Sequence, residues 1–168
     1  MIIKPLVGVD DLFLGLERES VSRKLGRPDR IEADDHVDGT HEETWEYQQL
    51  ALELVFSSDD DYRLGRITVM SEKATLNGCR LIGLPEGDFV ARAKSAGLDV
   101  QLDDDFDGPK CRDYMCQRLN LSFWISEGVL ENICVMPEFD KSGNNVMWPK
   151  EISEPPAGAD AEDRAAQP

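Results

Sequence analysis

The stretch Arg63-Leu-Gly-Arg-Ile-Thr-Val-Met70 returns 66 residues later as Val129-Leu-Glu-Asn-Ile-Cys-Val-Met136. Leucine, isoleucine, valine and methionine hold the same four places in both copies. The segments before each copy also correspond. Tyr47 followed by 50–56 is matched by Tyr114 followed by 119–125, and Gly15-Leu16 leading to Gly26 is matched by Gly83-Leu84 leading to Gly97. A unit of roughly 65 residues is marginal alone, so the two copies are expected to share a core or a sheet. The expected domains are a first α/β repeat unit over 1–78 and a second over 79–150. A Pro-Pro-containing acidic tail follows over 151–168 and reads as disordered.

Each copy reads as a helix followed by three strands. Val21 and Leu25 stripe a helix over about 17–25, which Gly26 and Pro28 stop. In the second copy Pro85 lies near the first turn, and Phe89, Val90, Ala93 and Ala96 form the apolar side up to Gly97. Strands are expected at 44–47, 50–56 and 64–71, then at 111–117, 119–126 and 129–136, with a short one at 12–14. The acidic stretch 29–43 reads as a surface loop. The fold class expected is therefore α+β: two tandem helix-β-β-β units forming an antiparallel sheet, helices on one face and the other face open.

Period-two alternation assigns the faces. Leu50, Leu52, Leu54, Phe56, Leu119, Leu121, Phe123, Ile125, Ile67, Val69, Ile133 and Val135 point to the helices, as do Trp45 and Tyr47. The opposite face carries Ala51, Glu53, Val55, Arg66, Thr68 and Met70 from the first copy. From the second it carries Asn120, Ser122, Trp124, Asn132, Cys134 and Met136. Trp124 is either an exposed anchor or is covered by a returning segment from 138–150.

Charge narrows the classes of partner. Acids outnumber bases 34 to 18, giving a net charge of −16 and a pI near 4.4. Five acids and one arginine lie in 151–168, so 29 against 17, or −12, remain over 1–150. Such a field opposes nucleic acid and anionic membrane and favours a basic protein. There is no signal-like h-region and no apolar run long enough to span a bilayer, so the cytoplasm is expected. The four cysteines, 79, 111, 116 and 134, lack CxxC spacing and read as free thiols, with a Cys111–Cys116 hairpin bridge as the oxidised alternative.

Catalytic and metal motifs are weak. His36 and His41 sit among Asp34, Asp35, Asp38, Glu42 and Glu43, in a segment without helical spacing to fix a ligand face. Asp103-Asp104-Asp105-Phe106-Asp107-Gly108 opens like a calcium loop, but Cys111 and Tyr114 stand where ligands are needed. No nucleophile elbow, phosphate-cradling glycine loop or HExxH is present. The chain is expected to be a non-enzyme with no cofactor and no metal.

The run Leu14-Gly15-Leu16, Val21, Leu25-Gly26-Arg27-Pro28 and Trp45-x-Tyr47 resembles the SmpA/OmlA (BamE-like) module. Two such modules in tandem resemble the β-lactamase inhibitory protein, an arrangement similar to that of some bacterial toxin-immunity proteins. The chain departs from the exported members in lacking a leader and a lipidation cysteine, and Glu17 stands where a Ser/Thr cap is usual. The resemblance implies a protein-binding protein, an immunity-type inhibitor of a basic toxin effector or else an assembly scaffold. The expected partner-binding residues are Trp124, Glu53, Arg66, Met70 and Met136, with Asp103, Asp104 and Asp105 on the rim.

Overall fold

The computed structural model describes residues 1–103, 108, 110–143 and 145–150. Its main body is one continuous antiparallel sheet of eight strands. In chain order these are β4 (Arg30–Asp35), β5 (His41–Tyr47), β6 (Leu52–Ser57), β7 (Leu64–Val69), β9 (Gln101–Leu102), β10 (Cys111–Cys116), β11 (Leu121–Ser126) and β12 (Val129–Val135). They lie side by side as β4-β5-β6-β7-β12-β11-β10-β9. Helix α1 (Arg18–Leu25) precedes the first four strands and α2 (Glu86–Ser95) precedes the second four.

This overturns the expected fold class. Among the described residues the structure is mostly β, with 44% in strands and only two α-helices, rather than two helix-β-β-β units. The segment read as a loop, 29–43, is instead a hairpin: Arg30–Asp35 pairs antiparallel with His41–Tyr47 around Asp38-Gly39, where Gly39 takes φ +92°. Leu50 and Leu119 do not open strands either. Each ends a 3-10 turn, and the residues after them, Ala51 and Asn120, are left-handed at φ +52° and +46°. The chain therefore reverses there, and Leu50 is left 40% exposed.

The two sets of strands meet at β7 and β12, with Val69 opposite Ile133, Thr68 opposite Cys134 and Ile67 opposite Val135. Each set carries one bulge. Val55 faces Arg66 but Phe56 faces Leu64, leaving Gly65 extra; Trp124 faces Asn132 but Ile125 faces Leu130, leaving Glu131 extra.

One hydrophobic core fills the space between the sheet and the helices. Leu54, Phe56, Leu64, Ile67, Phe89, Leu121, Phe123 and Val135 are fully buried in it. Phe89 of α2 packs on Phe123 and Tyr114 at ring separations of 5.2 and 5.7 Å, and Trp45 packs on Phe56 at 4.7 Å. A small sheet closes one end of this core: β1 (Ile2–Lys4), β2 (Gly8–Val9), β3 (Leu12–Phe13) and β8 (Thr75–Leu76), in the order β3-β2-β1-β8. β3 falls on the short strand expected at 12–14, whereas β1, β2 and β8, of two or three residues each, carry too little alternation to be read from sequence. A hairpin of β13 (Glu138–Phe139) and β14 (Val146–Met147) follows β12.

Both helices begin without a side-chain cap, α1 after Glu17 and α2 after Pro85. Each is held instead by an ion pair from its first residue. Arg18 donates to Glu43 on β5 at 2.7 Å and lies over the Tyr62 ring at 4.2 Å, while Glu43 also accepts from Trp45 Nε1 at 3.0 Å. At the start of α2 the charges are exchanged: Glu86 accepts from Arg112 on β10 at 3.1 and 3.2 Å and from the Tyr114 hydroxyl at 2.7 Å. Partial burial opposes ionisation of Glu43, but the Trp45 and Arg18 hydrogen bonds outweigh it and hold the carboxyl below its ordinary range. The Tyr114 hydroxyl, then Arg112, does the same for Glu86.

Candidate functional site

The face turned away from the helices is ordered by the strand register into rows. One row crosses all eight strands: Arg30, Glu46, Glu53, Thr68, Cys134, Ser122, Met115 and Gln101. Beside it run Glu32, Thr44, Val55 and Arg66 on the first four strands, and Asn132, Trp124 and Asp113 on the last three long ones. A further row places Asp34, Glu42 and Ser57 together. Carboxylates thus gather over β4–β6, whereas neutral polar groups, Trp124 and Asp113 occupy the other side.

Two of these carboxylates sit where ionisation is opposed. Burial pushes Glu53 up, and Glu46 directly opposite pushes it further. Asp113, only 8% exposed, is also pushed up by burial, although it accepts a 2.7 Å hydrogen bond from Ser122 Oγ. At the centre Thr68 Oγ1 and the Cys134 thiol are hydrogen-bonded at 3.5 Å, and burial raises the thiol. A raised thiol is held protonated and is a poor nucleophile.

The residues expected to bind a partner are distributed over this face. Glu53 and Arg66 fall in adjacent rows on neighbouring strands. Trp124 is half-buried between Asp113 and Asn132, three strands from Glu53, or about 14 Å at the usual strand spacing. Met70 and Met136 lie just past the ends of β7 and β12, where their N–H groups donate to the Ala51 and Asn120 carbonyls. They therefore flank opposite ends of the central pair. Asp103 donates its N–H to the Asp113 carbonyl at the edge of the sheet. Asp104, Asp105 and the 151–168 tail lie outside the described residues.

The C-terminal segment, the alternative cover for Trp124, lines two clefts elsewhere on the described residues. Phe139, 46% exposed, lines a small cleft of about 170 Å³ with Val55, Arg66 and Met136. Trp148 lines another cleft together with Leu6, Val7 and Met147. The Cys111–Cys116 bridge is ruled out by geometry, because both residues belong to β10, five apart along one strand. At ~3.3 Å per residue they stand about 16 Å apart, beyond any disulfide. The His36/His41 loop is the turn and flank of the β4–β5 hairpin; His41 Nδ1 lies 2.7 Å from Asp35 Oδ1. Among the described residues no three His, Cys, Asp or Glu side chains are placed to hold a metal ion.

Sequence reasoning missed Arg30, Glu32, Asp34, Glu42 and Glu46 as face residues because it placed most of them in a loop. The Asp38-Gly39 pair, flanked by alternating Ile31 and Ala33, was a hairpin signal that could have found them. It also missed Asp113, whose position depends on the β10–β11 register. Among the described residues no helix is long and apolar enough to cross a membrane. Comparison with protein-family models, curated proteins and solved structures finds no match to this chain.

Proposed function

We propose that this is a cytoplasmic, non-enzymatic protein-binding protein, an immunity-type inhibitor that occludes a basic toxin effector with the sheet face turned away from the helices. The observation that carries this reading is the row through Glu46 and Glu53. It sets two carboxylates side by side on the sheet, where burial and then the neighbouring Glu46 oppose the ionisation of Glu53. A cationic partner relieves that opposition on binding, so the charge is costly in the free chain and favourable in the complex. Trp124, Met70 and Met136 supply apolar anchors around the charged row, the residue types that dominate interface energies. The net charge of −16 adds a long-range field that hastens the encounter with a basic surface and repels nucleic acid and anionic lipid. A preformed face on adjacent strands loses little conformational entropy when it docks.

The test is co-expression with the product of the neighbouring gene, scoring growth. Rescue by the unaltered chain that is lost with Trp124→Ala and with Glu53→Lys, both still folded by thermal melting, supports occlusion. Rescue indifferent to both substitutions rejects this face as the site.

A further inference from the structure

A second cleft opens at the other end of the β7–β12 junction, and its origin lies in the strand register. After Val69 the first set of strands leaves β12, and residues 83–84 take its place: Gly83 N–H donates to the Leu130 carbonyl at 2.8 Å, and Leu130 N–H donates to the Leu84 carbonyl at 2.9 Å. The bulge at Glu131 turns β12 between these two neighbours. The result is a cavity of about 490 Å³ with Met70, Ile82 and Val129 among its walls and Glu72, Glu127 and Glu131 around them. That volume falls within the ~300–1,000 Å³ of ordinary ligand clefts.

We infer that this cleft receives a lysine or arginine side chain from the protein partner. The inference rests on the occlusion reading and names the chemistry the partner must present. Met70 and Val129 offer apolar surface, with Val129 39% exposed. A lysine or arginine has an apolar stem and a cationic tip, the combination that apolar walls with a carboxylate rim accept. Glu127 is already joined to Lys110 at 3.2 Å across the surface. Among the described residues Glu72 and Glu131 form no ion pair and no base lines the cleft. Gly83 helps to place Glu72. Its φ is +87°, and a Cβ there would stand 3.2 Å from the Glu72 carboxyl, so a side chain at 83 would displace it.

The small cleft at the opposite end of the junction gives an internal comparison. There the chain supplies its own cation: Arg66 lines the cleft with Met136 and Phe139 and reaches Glu42 at 3.7 Å. The larger cleft, by contrast, has a methionine and carboxylates but no guanidinium among its described lining residues.

The test uses the full chain labelled with ¹³C at methionine and isoleucine methyls, titrated with N-acetyl-lysine methylamide at low salt. N-acetyl-norleucine methylamide, with the same stem and no charge, is the control. The Met70 and Ile82 methyl signals should follow the lysine probe with a Kd about fivefold or more below that of the norleucine probe. The difference should vanish in Glu72→Gln/Glu131→Gln, whose melting temperature should stay close to that of the unaltered chain. Methyls that do not move, that follow both probes equally, or that follow lysine equally in the double variant overturn the assignment. Loss of rescue with Trp124→Ala alongside silent methyls rejects the cleft alone. Responsive methyls alongside rescue indifferent to Trp124 and Glu53 reject occlusion by the face and leave the cleft standing.

Discussion

Replacing Glu53 by glutamine should stabilise the free chain at neutral pH while weakening capture of its partner. Glu53 stands directly opposite Glu46 on β5 and Thr68 on β7. Burial and then Glu46 push its carboxyl up, and the attraction of Arg66 offsets them only in part. Because the folded chain holds this proton more tightly than the unfolded chain does, stability falls as pH rises from the ordinary glutamate range through the raised value. The cost is absent in acid and grows as the pH rises through the raised value. Like charges directly opposed on neighbouring strands cost about 0.2–1 kcal/mol, and glutamine removes the charge at nearly constant volume. At about 2–4 °C per kcal/mol for a chain of this size, Glu53→Gln should raise the melting temperature by about 0.4–4 °C at pH 7.5. Urea unfolding at pH 7.5, 6, 5 and below ~4 should show the gain shrinking to nothing as both states become protonated. A variant less stable than the parent at pH 7.5, or equally stabilised at every pH, would refute the reasoning.

Gly8→Ala should cost about 2–3 kcal/mol in urea unfolding, since Gly8 holds φ +147° and an added Cβ would fall 2.1 Å from the Leu12 carbonyl oxygen. Phe89→Ala removes a fully buried ring that joins α2 to the sheet and should lower stability by about 3–5 kcal/mol, read by the same assay and by near-ultraviolet circular dichroism. Glu86 is held below its ordinary range, so its contribution is present above that range and is lost as pH falls through the depressed value. Glu86→Gln should therefore be less stable by about 1 kcal/mol at pH 7, with the gap closing towards pH 3; a gap that persists in acid would show that the carboxylate charge is not what holds α2.

Sequence periodicity located the helix punctuation at Gly26 and Gly97 and the apolar sides of β6, β7, β11 and β12, because each rests on residues close together in the chain. It failed where local preference was overruled. Leu50 and Ala51 look like the start of a strand, yet Ala51 takes a left-handed conformation that costs an ordinary residue ~1–2 kcal/mol and is held by the turn around it. The acids of 30–35 look like a solvated loop, and indeed all six residues are exposed, but they are exposed as an edge strand. The candidate site was legible only in part for the same reason. Which carboxylate faces which depends on the pairing of strands, and no spacing within a single strand contains that information.

The exchanged charges at the two helix starts reach beyond holding each helix in place. If α1 settled over the strands that belong to α2, Arg18 would meet Arg112; in the reverse error Glu86 would meet Glu43. A chain whose two parts share so much apolar pattern invites such crossed docking as it folds, and between neighbouring molecules as well. Opposite polarity at the two anchor points makes every crossed arrangement repulsive and leaves the correct partnership as the attractive one.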